Sequence, residues 1–380
     1  MTKKICFIVT DAISFNVLCR GQLEFIRDNS DFDITLICGG DQTQFDILRK
    51  RNVGRVINAG FMRNPSLLKD MKSLAFLIKY LTLNRFDIVV YSTPKALLLG
   101  SVSSFLTLHE HRVAIVRGRV YENFFGKKRL FFHMLDKIAL STSTKVVFIS
   151  DSLRQAYLDD GLLKLSKGTV LGSGSSNGVD TVKYNPATIN ADQDRTTENN
   201  IFTVLSVGRI CDDKGLRDLA EVIDETKSAN LRFLLVGKIE DNKSEIFLNE
   251  LLSTHPNVKH VPHTDNDNVA SYFQDADIHL FLSHREGFGN VAIEAASCGV
   301  PTFAYDVVGI KDSVKDGVSG QRFKFKDTKA IAKAIDLAAE DKNFTSKYSD
   351  ARNWAVENFE QKKVWQNYLD FYVNQIQDEK

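Results

Sequence analysis

Short apolar segments alternate with longer amphipathic segments along nearly the whole chain. In the first half, the apolar segments predict strands at residues 5–10, 32–38, 88–92, 113–117, 146–150 and 169–171. In the second half, they predict strands at residues 202–207, 232–236, 258–261, 278–282 and 302–304. Because strands and amphipathic helices alternate at this spacing, the pattern predicts an α/β fold with parallel sheets covered by helices on both faces.

A change in composition separates the two sets of strands. Residues 172–178 are rich in glycine and serine, and a polar stretch at 185–200 follows. We therefore predict two doubly wound, Rossmann-like domains at residues 1–178 and 179–360. The pattern at 361–377 has helical spacing, and this helix could pack on the second domain or cross back to the first. We expect the terminal segment, 361–380, to pack on the first domain.

The segment that follows the predicted strand at 278–282 carries the strongest chemical signal. Glu286 precedes a short helix, and Glu294 lies eight positions later within that helix. Gly287 and Gly289 allow the backbone to approach a ligand closely, and a helix N-terminus attracts anions. Weak complementarity to the helix dipole, about 0.3–1 kcal/mol, would explain the glutamates but not the glycines. The pattern favours a phosphate-holding loop between two carboxylates that could bind hydroxyl groups.

Paired carboxylates also occur in glycosidases, where they stand about 5–9.5 Å apart on opposite sides of the bond that is cleaved. Two glutamates that bracket a phosphate-holding loop do not indicate that arrangement. The loop combination is instead typical of a site for a sugar nucleotide, which presents both phosphates and hydroxyls.

A second loop with phosphate-binding character follows the predicted strand at 202–207. It carries Gly208, then Arg209, whose guanidinium could grip a diphosphate, and Lys214, which could add a point charge. The alternative is that Asp212 or Asp213 caps a helix and that the cations are ordinary surface charges. Because the glutamate loop belongs to the same predicted domain, we favour the phosphate interpretation.

A metal ion is a further possibility for a site that binds a sugar diphosphate. Asp-x-Asp triplets occur at residues 31–33, 265–267 and 275–277, but three occurrences show how common the pattern is. Asp267 is better explained as a helix cap and Asp277 as a residue that enters a strand. We predict no metal and no other cofactor, with Arg209 and Lys214 supplying the positive charge.

Loops at the carboxyl ends of the first set of strands carry candidate acceptor-binding residues, because ligands of such sheets bind at that edge. The candidates are Ser14, Asn16, Lys95, Arg117, Tyr121 and Glu122. Ser14 or Asn16 could equally cap a helix. Lys95 follows a proline suited to a first helical turn, and the loop at 117–122 could simply carry solvated charges.

The net charge of +1 hides an asymmetry between the two halves. Residues 1–180 hold 25 Lys and Arg against 16 Asp and Glu, whereas residues 181–380 hold 24 against 32. This is either chance or a basic half that faces an anionic partner such as a membrane surface. Basic and bulky apolar residues lie side by side at 127–132, and lysines recur at 69, 72 and 79. No nucleic-acid-binding signature accompanies them, so no nucleic acid partner is predicted.

The cellular compartment is predicted from features that the sequence lacks. No apolar stretch reaches the roughly 18 residues of a membrane span, and the first apolar segment is better explained as a strand than as a signal peptide. Five scattered cysteines without a C-x-x-C pair argue for reduced thiols. We predict a cytoplasmic protein at the inner face of the cell membrane.

Taken together, these motifs resemble glycosyltransferase family 4. Residues 286–301 look like its Glu-x7-Glu signature, residues 208–215 resemble its donor-phosphate motif, and residues 171–180 resemble its interdomain segment. The likeness extends over nearly the whole chain. Residues 20–22, 93–95 and 117–122 resemble a subgroup that builds bacterial capsules and O-antigens.

The resemblance implies a GT-B fold, with two Rossmann-like domains facing a central cleft, and metal-independent transfer with retention at the anomeric carbon. It implies that Arg209 and Lys214 bind the donor diphosphate, Glu286 the donor sugar and Glu294 the ribose. It also implies a donor site lined by Phe288, Gly289 and Asn290. Many members of the family place a histidine after the fifth strand of the first domain. In this chain that loop offers Arg117 and Gly118, since His109 and His111 precede the strand.

The expected function is therefore transfer of a sugar from a nucleotide donor, a UDP-sugar, to a polyprenyl-diphosphate-linked saccharide in surface polysaccharide biosynthesis. Two alternatives stay open at this point. One is a sugar-nucleotide epimerase on the same fold, and the other is a catalytically silent subunit that only binds a sugar nucleotide.

Overall fold

The computed structural model describes residues 2–122, 124–186, 201–262 and 269–377. The chain divides into two compact units. The first unit comprises Met1–Gly178 together with Gln361–Lys380, and the second comprises Val179–Glu360.

The first unit is built on a parallel sheet with strand order β3-β2-β1-β4-β5-β6-β7. Its strands are β1 Lys4–Asp11, β2 Asp33–Gly39, β3 Arg55–Asn58, β4 Ile88–Ser92, β5 His111–Val116, β6 Lys145–Phe148 and β7 Gly168–Val170. Its helices before the second unit are α1 Ala12–Leu18, α2 Gln22–Asp28, α3 Gln42–Lys50, α4 Leu67–Leu83, α5 Pro94–Leu106, α6 Gly126–Thr142 and α7 Asp151–Asp159. The central strands are buried along nearly their whole length, as expected for a parallel sheet covered on both faces.

The second unit has a parallel sheet with strand order β10-β9-β8-β11-β12-β13. Its strands are β8 Phe202–Val207, β9 Leu231–Val236, β10 Val258–Val261, β11 Ile278–Phe281, β12 Thr302–Tyr305 and β13 Gly320–Phe323. Its helices are α8 Leu216–Glu225, α9 Asn242–Thr254, α10 Val269–Gln274, α11 Asn290–Ser297, α12 Ile310–Ser313, α13 Thr328–Glu340 and α14 Ala351–Phe359. In both sheets the strand order reverses beside the first strand, which places a ligand-binding switch point at the carboxyl end of β1 and of β8.

The predicted doubly wound α/β class is confirmed, and two strands were missed. Both β3 and β13 are four residues long and lie at sheet edges, where a strand buries less of its surface and leaves a weaker apolar pattern. Within the part of the chain that the structure describes, no helix combines the length and apolar character needed to cross a bilayer.

The last helix, α15 Gln361–Gln377, belongs to the first unit. The Trp365 ring packs against Phe25 with ring centroids 5.7 Å apart, and its indole N–H donates to Asn177 Oδ1 at 2.7 Å. Tyr368 and Tyr372 are buried. The apolar face that gives this segment its helical spacing is therefore covered by residues of the first unit.

Candidate active site

The loop after β8 makes a tight turn before α8 begins. Residues Asp212–Lys214 form a 3₁₀ turn, and Gly215 follows with φ of +82°, in the left-handed region. A Cβ atom at Gly215 would lie 2.3 Å from the carbonyl oxygen of Leu282. Only glycine allows both this backbone conformation and this close approach, so the turn lies directly against the loop that follows β11.

The two loops meet in an ion pair between predicted residues. Lys214 Nζ donates to Glu286 Oε1, although the residues are 72 positions apart in the sequence. Both side chains are largely shielded from water, with exposed fractions of 22% and 17%. A cation and a carboxylate predicted for neighbouring parts of one ligand thus lie in direct contact and neutralise each other.

Arg209 also has a carboxylate partner, one that sequence analysis did not identify. Its guanidinium binds both carboxylate oxygens of Glu240, in the loop between β9 and α9. Both side chains are about half exposed, at 52% and 43%. An exposed pair of this kind contributes little to stability, so an anionic ligand could take Arg209 from Glu240 at small cost.

Helix α11 begins at Asn290, directly after Gly289, which has φ of +87° and lies against the Phe281 ring. Its eight residues include Glu294. Burial raises the pKa of Glu294 to about 7, and this effect is opposed by the charge of Lys183 and by a hydrogen bond from Tyr184. Sequence analysis missed Tyr184, whose only signal was an aromatic residue close after the segment at 171–180.

These groups surround one cavity of about 390 Å³ within the second unit. A volume of this size suits a small-molecule ligand. The predicted residues in its wall are Gly208, Arg209, Lys214, Glu286, Gly289, Asn290 and Glu294. Phe288 differs from them: it is buried, and its ring packs edge-on against Phe359 with centroids 5.1 Å apart. Phe288 therefore packs in the protein interior beneath the loop rather than in the cavity wall.

The candidates on α1 and α5 of the first unit make contacts within the protein. Ser14 and Asn16 lie inside α1, whose cap is Asp11, so neither residue caps this helix. The Asn16 amide donates to the backbone and side-chain oxygens of Gln44. Lys95 is paired with Asp70 at 2.7 Å and is largely buried.

The loop after β5 is also tied to its own unit. Tyr121 is buried, and Glu122 accepts two hydrogen bonds from Arg119, at 2.9 and 2.6 Å. Arg117 Nη2 lies 3.5 Å from Cys19 Sγ, a weak contact. Its Nε and Nη1 are buried and have no hydrogen-bond partner among the residues that the structure describes. The acceptor-binding roles of these residues stay predictions.

The three acidic triplets are the candidates for metal binding in the sequence. Among the described residues, no group of three or more His, Cys, Asp or Glu side chains is placed to hold a metal ion. Asp277 accepts a hydrogen bond from the backbone N–H of Thr203 at 2.8 Å, which ties β11 to β8. The triplet at residues 265–267 and the predicted cap at Asp267 lie outside the described residues.

Comparison with known proteins places this geometry in a family. The sequence profile described as "Glycosyl transferases group 1" matches residues 189–354. The chain is 32% identical to the capsular polysaccharide biosynthesis glycosyltransferase CapM of Staphylococcus aureus, over 97% of each chain. It is 26% identical to UDP-Gal:alpha-D-GlcNAc-diphosphoundecaprenol alpha-1,3-galactosyltransferase of Escherichia coli, over 92% of this chain and 90% of that one.

The fold is similar to that of Anabaena Alr3699/HepE, whose crystal structure was solved in complex with UDP. The TM-score is 0.78 at 19% identity, and the match covers 98% of this chain and all of the other. The predicted GT-B fold is thereby confirmed. This chain belongs to the group 1 glycosyltransferases and is a transferase.

Proposed function

We propose that this protein is a retaining glycosyltransferase that moves a sugar from a UDP-sugar to a polyprenyl-diphosphate-linked saccharide in bacterial surface polysaccharide biosynthesis. The observation that carries the proposal is the Lys214–Glu286 pair in the wall of a cavity that also contains Glu294 and the N-terminus of α11. A cation and helix N–H groups suit the diphosphate, and the two carboxylates suit the hydroxyls of the sugar and the ribose.

Catalysis in this proposal is mainly electrostatic and needs no metal ion. Arg209, Lys214 and the N-terminus of α11 stabilise the negative charge that develops on the departing diphosphate. Glu286 accepts hydrogen bonds from the donor sugar, and Glu294 accepts them from the ribose. The acceptor hydroxyl forms the new bond on the face from which the diphosphate departs. Because the new bond to the anomeric carbon forms on that face, the anomeric configuration is retained, and the hydroxyl proton passes to an oxygen of the leaving phosphate.

The names of the relatives support the donor and the acceptor. The Escherichia coli relative is named for transfer from UDP-Gal to a diphosphoundecaprenol-linked GlcNAc. The Staphylococcus aureus relative is named for capsular polysaccharide biosynthesis. The structural neighbour that binds UDP supports a uridine donor. We therefore assign the same classes of donor and acceptor to this chain.

A membrane surface is the third proposed partner, and the face of α6 supports it. Leu130, Phe131 and Met134 are exposed at 67%, 52% and 49%, although each is apolar. Their spacing places them on one side of the helix. The lysines of this helix, Lys127, Lys128 and Lys137, are exposed as well.

The one acidic residue of α6 does not interrupt this surface. Asp136 accepts a hydrogen bond from the Tyr157 hydroxyl at 2.6 Å and is partly buried. An exposed apolar stripe with basic neighbours is typical of a helix that lies in the headgroup region of an anionic bilayer. Such docking would hold the enzyme where a polyprenyl-linked acceptor resides.

A donor panel tests the proposed function. The purified protein is incubated with individual sugar nucleotides, with and without a polyprenyl-diphosphate-linked GlcNAc acceptor, and products are identified by mass spectrometry. We expect release of UDP and elongation of the acceptor lipid, with the anomeric configuration of the donor sugar retained. A changed sugar nucleotide without acceptor would indicate an epimerase. UDP binding without turnover of any donor would indicate a silent binding subunit.

A further inference from the structure

The first turn of α8 contains a buried carboxylate that the mechanism above does not use. Asp218 is 1% exposed. Its carboxylate accepts hydrogen bonds from His284 Nε2 at 2.8 Å, from the Tyr305 hydroxyl at 2.9 Å and from Lys326 Nζ at 2.5 Å. A buried carboxylate costs several kcal/mol in lost hydration unless it is paired and fully hydrogen-bonded, and Asp218 meets that condition.

One of these partners leads directly to the candidate site. His284 lies two residues before Glu286 in the loop after β11. The His284 ring is enclosed between Phe325, edge-on at 5.2 Å between centroids, and Tyr305, tilted at 6.5 Å. Its backbone N–H donates to the carbonyl oxygen of Asp213 at 3.0 Å. Packing therefore fixes the ring of His284, and a hydrogen bond fixes its backbone.

The next residue along the loop is held by the same turn. Arg285 Nε donates to the Asp213 carboxylate at 3.0 Å, so the turn that carries Lys214 and the loop that carries Glu286 are joined at two successive positions. Asp218 completes this arrangement, because it lies on the helix that follows the turn and binds His284 in the loop after β11. These contacts hold the two loops together beside the Lys214–Glu286 pair.

We propose that Asp218 is a positioning residue of the donor site: through His284 it sets where the Glu286 carboxylate stands relative to Lys214. The inference rests on the proposed function, in which Glu286 contacts the donor sugar. A misplacement of about 1 Å in a catalytic site can cost about 10²-fold in rate. Loss of these contacts would therefore impair sugar transfer far more than binding of UDP, because the proposed function assigns Glu286 to the sugar, which UDP lacks.

The test compares full-length Asp218→Ala with wild type. Alanine removes the oxygen that binds both His284 and Tyr305, and it frees Lys326, which is half exposed. Asparagine could keep the His284 contact through that shared oxygen, so it is not the test variant. Binding of UDP reports whether the fold survives. We expect kcat/KM for the donor to fall at least about tenfold, whereas the Kd for UDP, measured by calorimetry, changes less than about threefold. His284→Ala should reproduce this pattern. Lys326→Met should stay within about threefold of wild type on both measures, because it leaves the histidine contact intact.

Asp336→Ala is the matched control. Asp336 accepts hydrogen bonds from backbone N–H groups of Lys227 and Ser228 in the same unit and contacts neither donor loop. This variant should lose some thermal stability without changing kcat/KM. Equal loss of UDP affinity and turnover in Asp218→Ala, or unchanged turnover, would overturn the proposal.

Crystal structures of wild type and Asp218→Ala, both crystallised without nucleotide, separate this inference from the proposed function. We expect the Glu286 carboxylate to be displaced from Lys214 in the variant, whatever donor the enzyme uses. If wild type transfers no sugar from any donor, the proposed function fails. If Glu286 keeps its place in the variant, the positioning role of Asp218 fails even in an active enzyme.

Discussion

Lys214 Nζ and Glu286 Oε1 form an ion pair across the cavity wall of the second unit, joining the loop after β8 to the loop after β11. Each group neutralises the charge of the other. In the proposed function the two groups separate, because the donor diphosphate binds the ammonium and the donor sugar binds the carboxylate.

Removal of either member of this pair should slow transfer. We expect Glu286→Ala and Lys214→Ala each to lower the rate at least about tenfold, about 1.4 kcal/mol in the barrier. Steady-state kinetics with the preferred donor measures this change. Lys311→Ala, which removes an exposed lysine of the same unit, is the control and should keep normal turnover. Near-normal transfer by either of the first two variants would contradict their assignment.

Glu294 should make stability depend on pH near neutrality. Burial raises its pKa to about 7, above the ordinary value of 4.5, so the folded protein binds an extra proton between these values. Stability from this group is fully present below about pH 4.5 and is lost as pH rises through about 7. Chemical denaturation at pH 5 and pH 8 should show a loss of about 2–3 kcal/mol in wild type that Glu294→Gln lacks. Equal pH dependence in both proteins would rule out this titration.

Asp218 should act in the opposite direction at low pH. Its burial opposes ionisation, but hydrogen bonds from His284, Lys326 and Tyr305 prevail and lower its pKa to about 2. Its contribution to stability is therefore present above about pH 4 and is lost as pH falls toward about 2. Acid unfolding followed by circular dichroism should show a smaller loss over this range in Asp218→Asn. The same acid profile in both proteins would show that the carboxylate is not held as a charged group.

The exposed face of α6 should control membrane binding. We expect Leu130→Ser combined with Phe131→Ser to weaken binding to vesicles with anionic lipid at least about tenfold in co-sedimentation, because membrane affinity scales with the buried apolar area. Binding should also weaken as salt screens the lysines. Leu337→Ser, on α13 of the second unit, removes another exposed leucine and should bind as wild type does. If the double variant and this control bind equally well, α6 is not the docking face.

The alternation of strands and helices was readable from the sequence because it is a local property of each segment. The donor-side candidates were readable for a related reason. Gly208, Lys214, Glu286 and Glu294 lie on or next to loops that follow apolar segments, and such loops meet at one edge of a parallel sheet. The short edge strands β3 and β13 were missed because each has four residues and is only partly buried, so its apolar pattern is weak.

The sequence by itself determined the fold class and the chemical character of the loops at the strand ends. Only the tertiary structure decided which charges meet, because Glu240 reaches Arg209 and Asp218 reaches His284 across segments that are distant in the chain. It also decided that Lys95 and Glu122 are paired with neighbours in the first unit. Periodicity specifies which face of an element is buried, whereas strand order and helix packing determine which loops come within hydrogen-bond distance.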